Sequence, residues 1–348
     1  MAFLNQATQI WGNTPPKNAP AYVQSKQYAT GVFANSSPTP LMLPGTNTAA
    51  VAWRFLTSGG QGIPEAPLPA IHTDLAGLDR AAPTLVWLGH SSYWLGLPEL
   101  TMLVDPVLTQ AAVPFVSLKP FAGTDAYGPQ HIPPVDVLLL THDHYDHLDY
   151  GTVTALRNRV GRVVCPLGVG AHLHYWGYPA EKITELDWWD ALELHPRVRL
   201  TATPARHFSG RTLKRGHTLW ASFVLEAPSA RLHLGGDSGY DAHFKEIGAR
   251  FGRFDLAVLE CGQYNTQWPY IHMMPEQTVQ AAQDLNATLA LPVHWGKFRL
   301  SLHAWHEPIT RFSAAADAAG VAYTTPHIGE PLVLGGKHPQ HKWWQGLR

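Results

Sequence analysis

The sequence is short of charge, of cysteine and of long apolar runs, and each shortage removes a class of function. Only 15% of the 348 residues are Asp, Glu, Lys or Arg, against roughly 25% in an average soluble domain. The 25 basic and 26 acidic residues leave a net charge of -1, with no basic run. Proteins that hold nucleic acid through its phosphates need clustered Lys and Arg, so no nucleic-acid partner is expected. Two cysteines, Cys165 and Cys261, imply neither a disulfide framework nor a Cys-based zinc site. Each lies in or beside an apolar run and reads as a buried thiol. No apolar run is long enough to span a bilayer, so no transmembrane anchor is expected. The opening residues Met1-Ala2-Phe3-Leu4-Asn5-Gln6 lack the basic segment and apolar core of a signal peptide. The expected location is the cytoplasm.

What stands out is histidine, with 20 copies. Histidine is the commonest metal ligand and the usual general base near neutral pH, so position has to decide what these residues do. To about Ala82 the chain is rich in Pro, Gly, Ser, Thr and Asn and weakly periodic. Residues 1–82 read as an extended arm packed on a body formed by residues 83–348. Apolar residues between Met42 and Leu56 (Met42, Leu43, Val51, Trp53, Phe55, Leu56) would pack into the core or cover a groove.

From Thr84 strands and helices alternate. Apolar runs predict strands at 85–88, 93–95, 101–104, 135–140, 163–165, 199–205, 219–225, 231–234, 256–260 and 288–292. Helices are predicted over 150–159, 169–176, 242–250, 275–285 and 309–319, and Pro275 suits a helix start because its missing N–H costs little there. The class is α/β or α+β.

One pattern recurs along this body: His or Asp just after an apolar strand, beside small residues or glycine. The positions are His142, His144, Asp146, His147, His207, Asp237 and His294. Strand ends lie on one rim of a sheet, where loops converge on a site. Imidazole nitrogen and carboxylate oxygen are the ligands of a borderline metal. Alternate residues of an extended segment point the same way, so His142 and His144 can bind one ion together. Asp146 and His147 can serve a second ion, and Asp237 follows two glycines that let backbone come close. Two metals roughly 3.5–4 Å apart polarise a substrate oxygen and acidify a water. A lone His207, His294 or Asp-Ser-Gly turn would be unremarked surface or turn chemistry. Three His and two Asp within six residues, directly after aliphatics, are costly to bury without a partner.

The segment Thr141-His142-Asp143-His144-Tyr145-Asp146-His147-Leu148-Asp149 resembles the His-x-His-x-Asp-His signature of the metallo-β-lactamase superfamily. The resemblance implies a four-layer αβ/βα sandwich with two zinc ions at one edge of its sheets. It implies that His142, His144 and His207 hold one ion, that Asp146, His147 and His294 hold the other, and that Asp237 bridges them. It further implies a bridging hydroxide as nucleophile, which Asp146 helps to orient. Mn2+ or Fe2+ would suit the same His/Asp donors, since affinity order and availability decide together.

Leu88-Gly89-His90-Ser91-Ser92, Val104-Asp105-Pro106, Gly236-Asp237-Ser238-Gly239-Tyr240 and Val293-His294-Trp295-Gly296 narrow the likeness to the N-acyl-phosphatidylethanolamine phospholipase D branch. So do Pro204-Ala205-Arg206-His207-Phe208 and His272-Met273-Met274-Pro275-Glu276. The likeness runs from about Thr84 to Phe312. Asp143, Ser238 and the arm depart from the animal enzymes. His272 is expected near the metals as proton donor or substrate contact, and His90 and Asp105 are expected to orient a ligand or water. The expected activity is a phosphodiesterase of phospholipase D type acting on a small-molecule or lipid phosphodiester. A lactonase or other carbonyl hydrolase like the ascorbate-6-phosphate lactonases is the alternative, since the same nucleophile could attack a carbonyl carbon. The branch includes dimers, so a homodimer is consistent with the likeness, and any peripheral membrane contact would need an exposed apolar patch. A nuclease is disfavoured by the charge, a metal-free scaffold by the complete ligand set, and a redox di-iron centre by histidine rather than Glu at 144.

Overall fold

The computed structural model describes residues 9–13, 15, 19–57, 62–113, 116–211 and 214–347. Among the described residues, thirteen strands of the body form its two main sheets, and a short hairpin (Ala111–Val113 with Val116–Leu118) stands apart. The first half supplies β1 (Thr84–Trp87), β2 (Tyr93–Gly96), β3 (Thr101–Val104), β4 (Val135–Leu139), β5 (Val160–Pro166) and β6 (Ile183–Leu186). The second half supplies β7 (Ala191–His195), β8 (Val198–Thr203), β9 (Ser222–Ala227), β10 (Ala230–Leu234), β11 (Leu256–Glu260) and β12 (Ala290–Val293). The last strand, β13 (Pro331–Val333), returns to the first sheet. The sheet orders are β6-β5-β4-β3-β2-β1-β13 and β7-β8-β9-β10-β11-β12. Each sheet opens with antiparallel pairs and closes with parallel ones: β3-β4-β5-β6 in the first and β10-β11-β12 in the second.

The pleat explains the layers. Leu85, Trp87, Val137 and Leu139 point into a core shared with the second sheet, against Leu200, Phe223 and Leu232. Their neighbours Val86, Leu88, Leu138 and Leu140 point the other way, onto Leu148, Val153 and Leu156. Strands covered on both faces read as unbroken aliphatic runs. The outer layer of the first sheet includes helices at Tyr150–Leu156 and Gly170–Tyr175. That of the second includes His243–Phe251, Pro275–Asp284 and Glu307–Ala319. The two sheets with their helices form the αβ/βα sandwich.

Ahead of β1, Pro20–Gln24 and a short hairpin (Tyr28–Ala29 with Val32–Phe33) bring Tyr22, Tyr28 and Phe33 ring against ring. Thr48–Thr57, read from the sequence as extended chain, is a helix. Asn47 caps it, its Oδ1 accepting from Ala50 N at 3.0 Å. Val51 is buried, whereas Trp53 is 68% exposed and so does not pack in the core. The side chains of Phe55 and Leu56 lie outside the described residues. Both cysteines are buried and unpaired, as their apolar surroundings predict. No helix among the described residues is long and apolar enough to cross a membrane.

Candidate metal centre

Strands β1, β3 and β4 of one sheet and β8, β10 and β12 of the other run the same way within their sheets, as the pairings require. The residues after their C-terminal ends converge on one rim. They carry His90 (after β1), Asp105 (β3), His142 to His147 (β4), His207 (β8), Asp237 (β10) and His294 (β12). Three of these leave the strand in the left-handed region: His90 at φ 53°, Asp105 at 41° and His294 at 67°. Such conformations are uncommon for residues with a Cβ and persist only where surroundings fix them. Here His294 N donates to His90 O at 3.0 Å and Asp105 N to Leu139 O at 3.0 Å. Gly236 lets two of the loops touch, since a Cβ there would lie 2.6 Å from Thr141 Cβ.

His142, His144, His207 and Asp237 form one cluster. His207 Nδ1 lies 2.7 Å from the Ile271 carbonyl, which can only accept. The neutral ring therefore carries its proton on Nδ1 and a lone pair on Nε2. Thr141 Oγ1 donates to Asp105 Oδ2 at 2.5 Å and is left to accept from His142 Nδ1 at 3.0 Å. That puts the His142 lone pair on Nε2 as well. His144 Nδ1 is 3.0 Å from His142 Nε2 and 3.2 Å from His207 Nε2. Nitrogens this close need a shared proton or a shared cation. Around a tetrahedral zinc-sized ion with nitrogen at about 2.0–2.1 Å, ligand atoms stand about 3.3 Å apart, so the three fit.

His90, Asp146, His147 and His294 form the second cluster. His147 Nδ1 donates to Asp105 Oδ2 at 2.8 Å. Its Nε2 is 3.1 Å from Asp237 Oδ1, yet neither atom has a hydrogen-bond partner although both are buried. Unpaired buried polar atoms are costly, and a cation between them would remove the cost. His294 Nδ1 lies 3.2 Å from the same Asp237 oxygen and 3.0 Å from Ser91 Oγ. The other Asp237 oxygen, Oδ2, faces the first cluster, 3.9 Å from His142 Nε2 and 3.7 Å from His207 Nε2. One carboxylate thus reaches toward both groups. His90 Nε2 sits 2.8 Å from Asp146 Oδ2.

The electrostatics of four of the histidines and of both carboxylates suit metal ligands. Burial holds His142, His144, His207 and His294 below the ordinary imidazole range, which favours the neutral, ligating form. Burial opposes ionisation of Asp146 and Asp237, but the surrounding histidines outweigh it and hold both carboxyls well below the usual range. For His147 burial lowers the value, and the carboxylates of Asp237, Asp146 and Asp105 more than reverse it.

Every candidate named from the sequence lies at this rim. His272 is grouped with Asp237 and His294, and its ring stacks on His294 at 5.2 Å. Asp143, in the middle of the signature, turns away and accepts from Gly210 N at 2.7 Å and His172 Nε2 at 3.3 Å. Sequence reasoning missed Thr141, Ser91 and Glu260. Glu260 is buried, with Oε1 3.4 Å from His272 Nδ1 and 2.9 Å from Met273 N. It lies inside an aliphatic strand, and a charged residue at such a position was the available signal.

Above the clusters a cavity of about 380 Å³ opens, floored by His144, Asp146, Asp237 and His294 and walled by Met42, Leu118, Phe208, Trp268, Ile271 and Leu300. Met42 comes from the arm, which is held there by Leu43 N donating to Gln267 O at 2.8 Å.

Residues 101–295 match the beta-lactamase superfamily domain. The chain is 38% identical over 337 residues to an uncharacterised protein of Mycobacterium tuberculosis, covering 92% of this chain and 88% of that one. It is 29% identical over 266 residues to N-acyl-phosphatidylethanolamine-hydrolyzing phospholipase D 1 of Caenorhabditis elegans, covering 70% and 74% of the two chains. The solved structure of a metallo hydrolase from Ignicoccus hospitalis matches with a TM-score of 0.54 at 18% identity, over 74% of this chain and 100% of that one. At that identity the likeness speaks for the fold alone.

Proposed function

The chain belongs to the metallo-β-lactamase superfamily of metal-dependent hydrolases, and from that premise we propose that it is a dinuclear phosphodiesterase of phospholipase D type. The carrying observation is the Asp237 carboxylate, whose two oxygens face two histidine clusters at the floor of one cavity. His142, His144 and His207 would hold one ion, Asp146, His147 and His294 the other, and Asp237 both. Bound there, two divalent cations, zinc in this reading, would polarise the phosphoryl oxygens and acidify a water.

The chain's own residues supply the rest. Asp105, Thr141 and the Ile271 carbonyl hold outer nitrogens of His147, His142 and His207, so that the inner ones face the site. Asp146, anchored by His90, would orient the attacking water. Cleavage of the phosphorus–oxygen bond leaves an alkoxide that must take up a proton. His272 would give it. Burial depresses its imidazole, but Glu260, Asp237 and Asp146 raise it above the ordinary value. With Nδ1–H toward Glu260 Oε1, Nε2 is the nitrogen left to donate. The apolar walls exclude bulk water and suit a substrate with a hydrocarbon part. The phospholipid named for the nematode relative is a substrate of that kind. In the test, wild type and His272→Ala, each with metal content measured, are given a glycerophospholipid, a phosphodiester whose leaving group is an alkoxide, and a simple lactone. The expected result is phosphodiester hydrolysis that falls about 10²–10⁴-fold in the variant while its metals stay. Preferential hydrolysis of the lactone would overturn the reading.

A further inference from the structure

We propose that Asn35 is a positioning residue for His207, so that the N-terminal arm, and not only the sheet rim, sets the geometry of the first histidine cluster. The proposal rests on the dinuclear reading above.

His207 follows β8 on the stretch Pro204-Ala205-Arg206-His207, beyond the last ladder bond, where no neighbouring strand can hold its main chain. The Asn35 side chain takes that place. Its Nδ2 donates to His207 O at 2.7 Å, and its Oδ1 accepts from His207 N at 3.0 Å. Both main-chain groups of one residue are thus paired by one side-chain amide, as a strand partner would pair them. Only an amide carries a donor and an acceptor side by side in this way. Aspartate could accept but not donate, and serine has a single oxygen for both tasks.

Asn35 is itself held on several sides. Trp220 Nε1 donates to Asn35 Oδ1 at 3.1 Å and to Ala205 O at 3.0 Å, tying the amide to the same loop. Two residues before Asn35, Phe33 is buried and its N–H donates to Gly216 O at 2.7 Å. Just beyond it, Arg206 reaches back to the arm, with Nη2 on Pro38 O at 2.7 Å and Nε on Thr39 Oγ1 at 3.0 Å. The arm therefore brackets the His207 peptide, while Ile271 O fixes the ring from the opposite side at 2.7 Å. The ring's Nε2 is left aimed at His144 and Asp237. A metal site tolerates little ligand displacement, and partners that orient ligands are typically worth about 10–100-fold in metal affinity.

The experiment uses the full chain freed of metal and titrated with Zn2+, and separately with Co2+, whose absorption reports ligand geometry. Asn35→Ala and Asn35→Asp are compared with Thr39→Ala, which removes an arm contact but leaves the His207 peptide paired. The wild type should take up two ions. Both Asn35 variants should bind one of the two at least about tenfold more weakly, with an altered Co2+ spectrum. Thr39→Ala should bind both as the wild type does. If Asn35→Ala does not fold, Asn35→Asp carries the test, since it keeps the volume and the acceptor for His207 N while setting an acceptor oxygen against His207 O in place of the donor. Two ions at wild-type affinity in the Asn35 variants would overturn the proposal alone. So would an equal loss in Thr39→Ala at equal change in the apo-protein melting temperature. A wild type that takes up no ion would overturn the dinuclear reading, and this inference with it.

Discussion

Replacing Asp105 by asparagine changes almost no volume and should still disable the second cluster. Asp105 is fully buried and does not line the cavity. Its carboxylate accepts from His147 Nδ1 at 2.8 Å, Thr141 N at 2.8 Å and Thr141 Oγ1 at 2.5 Å. Burial pushes this carboxyl up, against the pull of His147 and Thr141. Three donors around two oxygens leave the ionised form as the one that satisfies them. In Asp105→Asn the new Nδ2–H2 would stand where Oδ2 stood. Thr141 Oγ1 can turn and accept, but His147 Nδ1 can accept only by moving its proton to Nε2. That proton would then sit on Nε2, the atom 3.1 Å from Asp237 Oδ1, where a lone pair is needed for the cation. The expected loss is about 10–100-fold in metal affinity at that site, or about 1.4–2.7 kcal/mol. The apo-protein should lose far less stability than in Asp105→Ala, which leaves three buried donors unpaired and costs about 3–5 kcal/mol. Equilibrium dialysis against graded chelator with elemental analysis, beside thermal melts of the apo-proteins, separates the two effects. If Asp105→Asn keeps both ions at wild-type affinity, the reasoning about the His147 proton is wrong.

Two further outcomes follow from the same rim. Lys297 is 2% exposed and donates to Leu88 O at 3.0 Å and Val107 O at 2.9 Å, pinning the loops that carry His90 and Asp105. Burial lowers its ammonium to about 8, below the unfolded value near ~10.4. Between pH 8 and 10 the folded chain therefore sheds a proton that the unfolded chain keeps, and stability rises with pH by up to about 1.4 kcal/mol per unit. Chemical denaturation across that range should show the rise in wild type. Lys297→Met should lose it and be destabilised by about 2–4 kcal/mol at pH 7 through two unpaired carbonyls; a parallel profile in both proteins would contradict this. Gly236→Ala should force apart the loops of Asp237 and Thr141, because the new Cβ would meet Thr141 Cβ at 2.6 Å. A stability loss of about 1–3 kcal/mol is expected, and an unchanged denaturation midpoint would show that the loops give way freely.

Much of this was legible because the strands of the body are buried on both faces. Runs such as Val135 to Leu140 and Leu256 to Glu260 can be little else, and the residues just past their ends had to share a rim. The strands at 183–186 and 191–195 went unseen for the opposite reason. They are sheet edges; Ala191–His195 alternates exposed and half-buried positions and carries Glu193 and His195, the charged pattern that edges need. The helix at Thr48–Thr57 had a signal in Asn47 ahead of Thr48-Ala49-Ala50, but the surrounding Pro and Gly masked it. At the site, the His-x-His-x-Asp-His spacing named the residues that converge, whereas their partners did not announce themselves. Thr141, Ser91 and Asn35 are ordinary polar residues whose roles come from contacts across 36 to 203 positions of chain. Spacing within a motif carries no information about such distances.

The central claim is that one carboxylate serves two cations. Elemental analysis of the purified chain and of Asp237→Ala, with hydrolysis of bis(p-nitrophenyl) phosphate recorded on both, tests it most directly. The account predicts two metal ions per wild-type chain, and in the variant the loss of both metal and activity. A wild type that binds no metal and stays inactive after reconstitution, or an Asp237→Ala protein that keeps two ions and full activity, would contradict it.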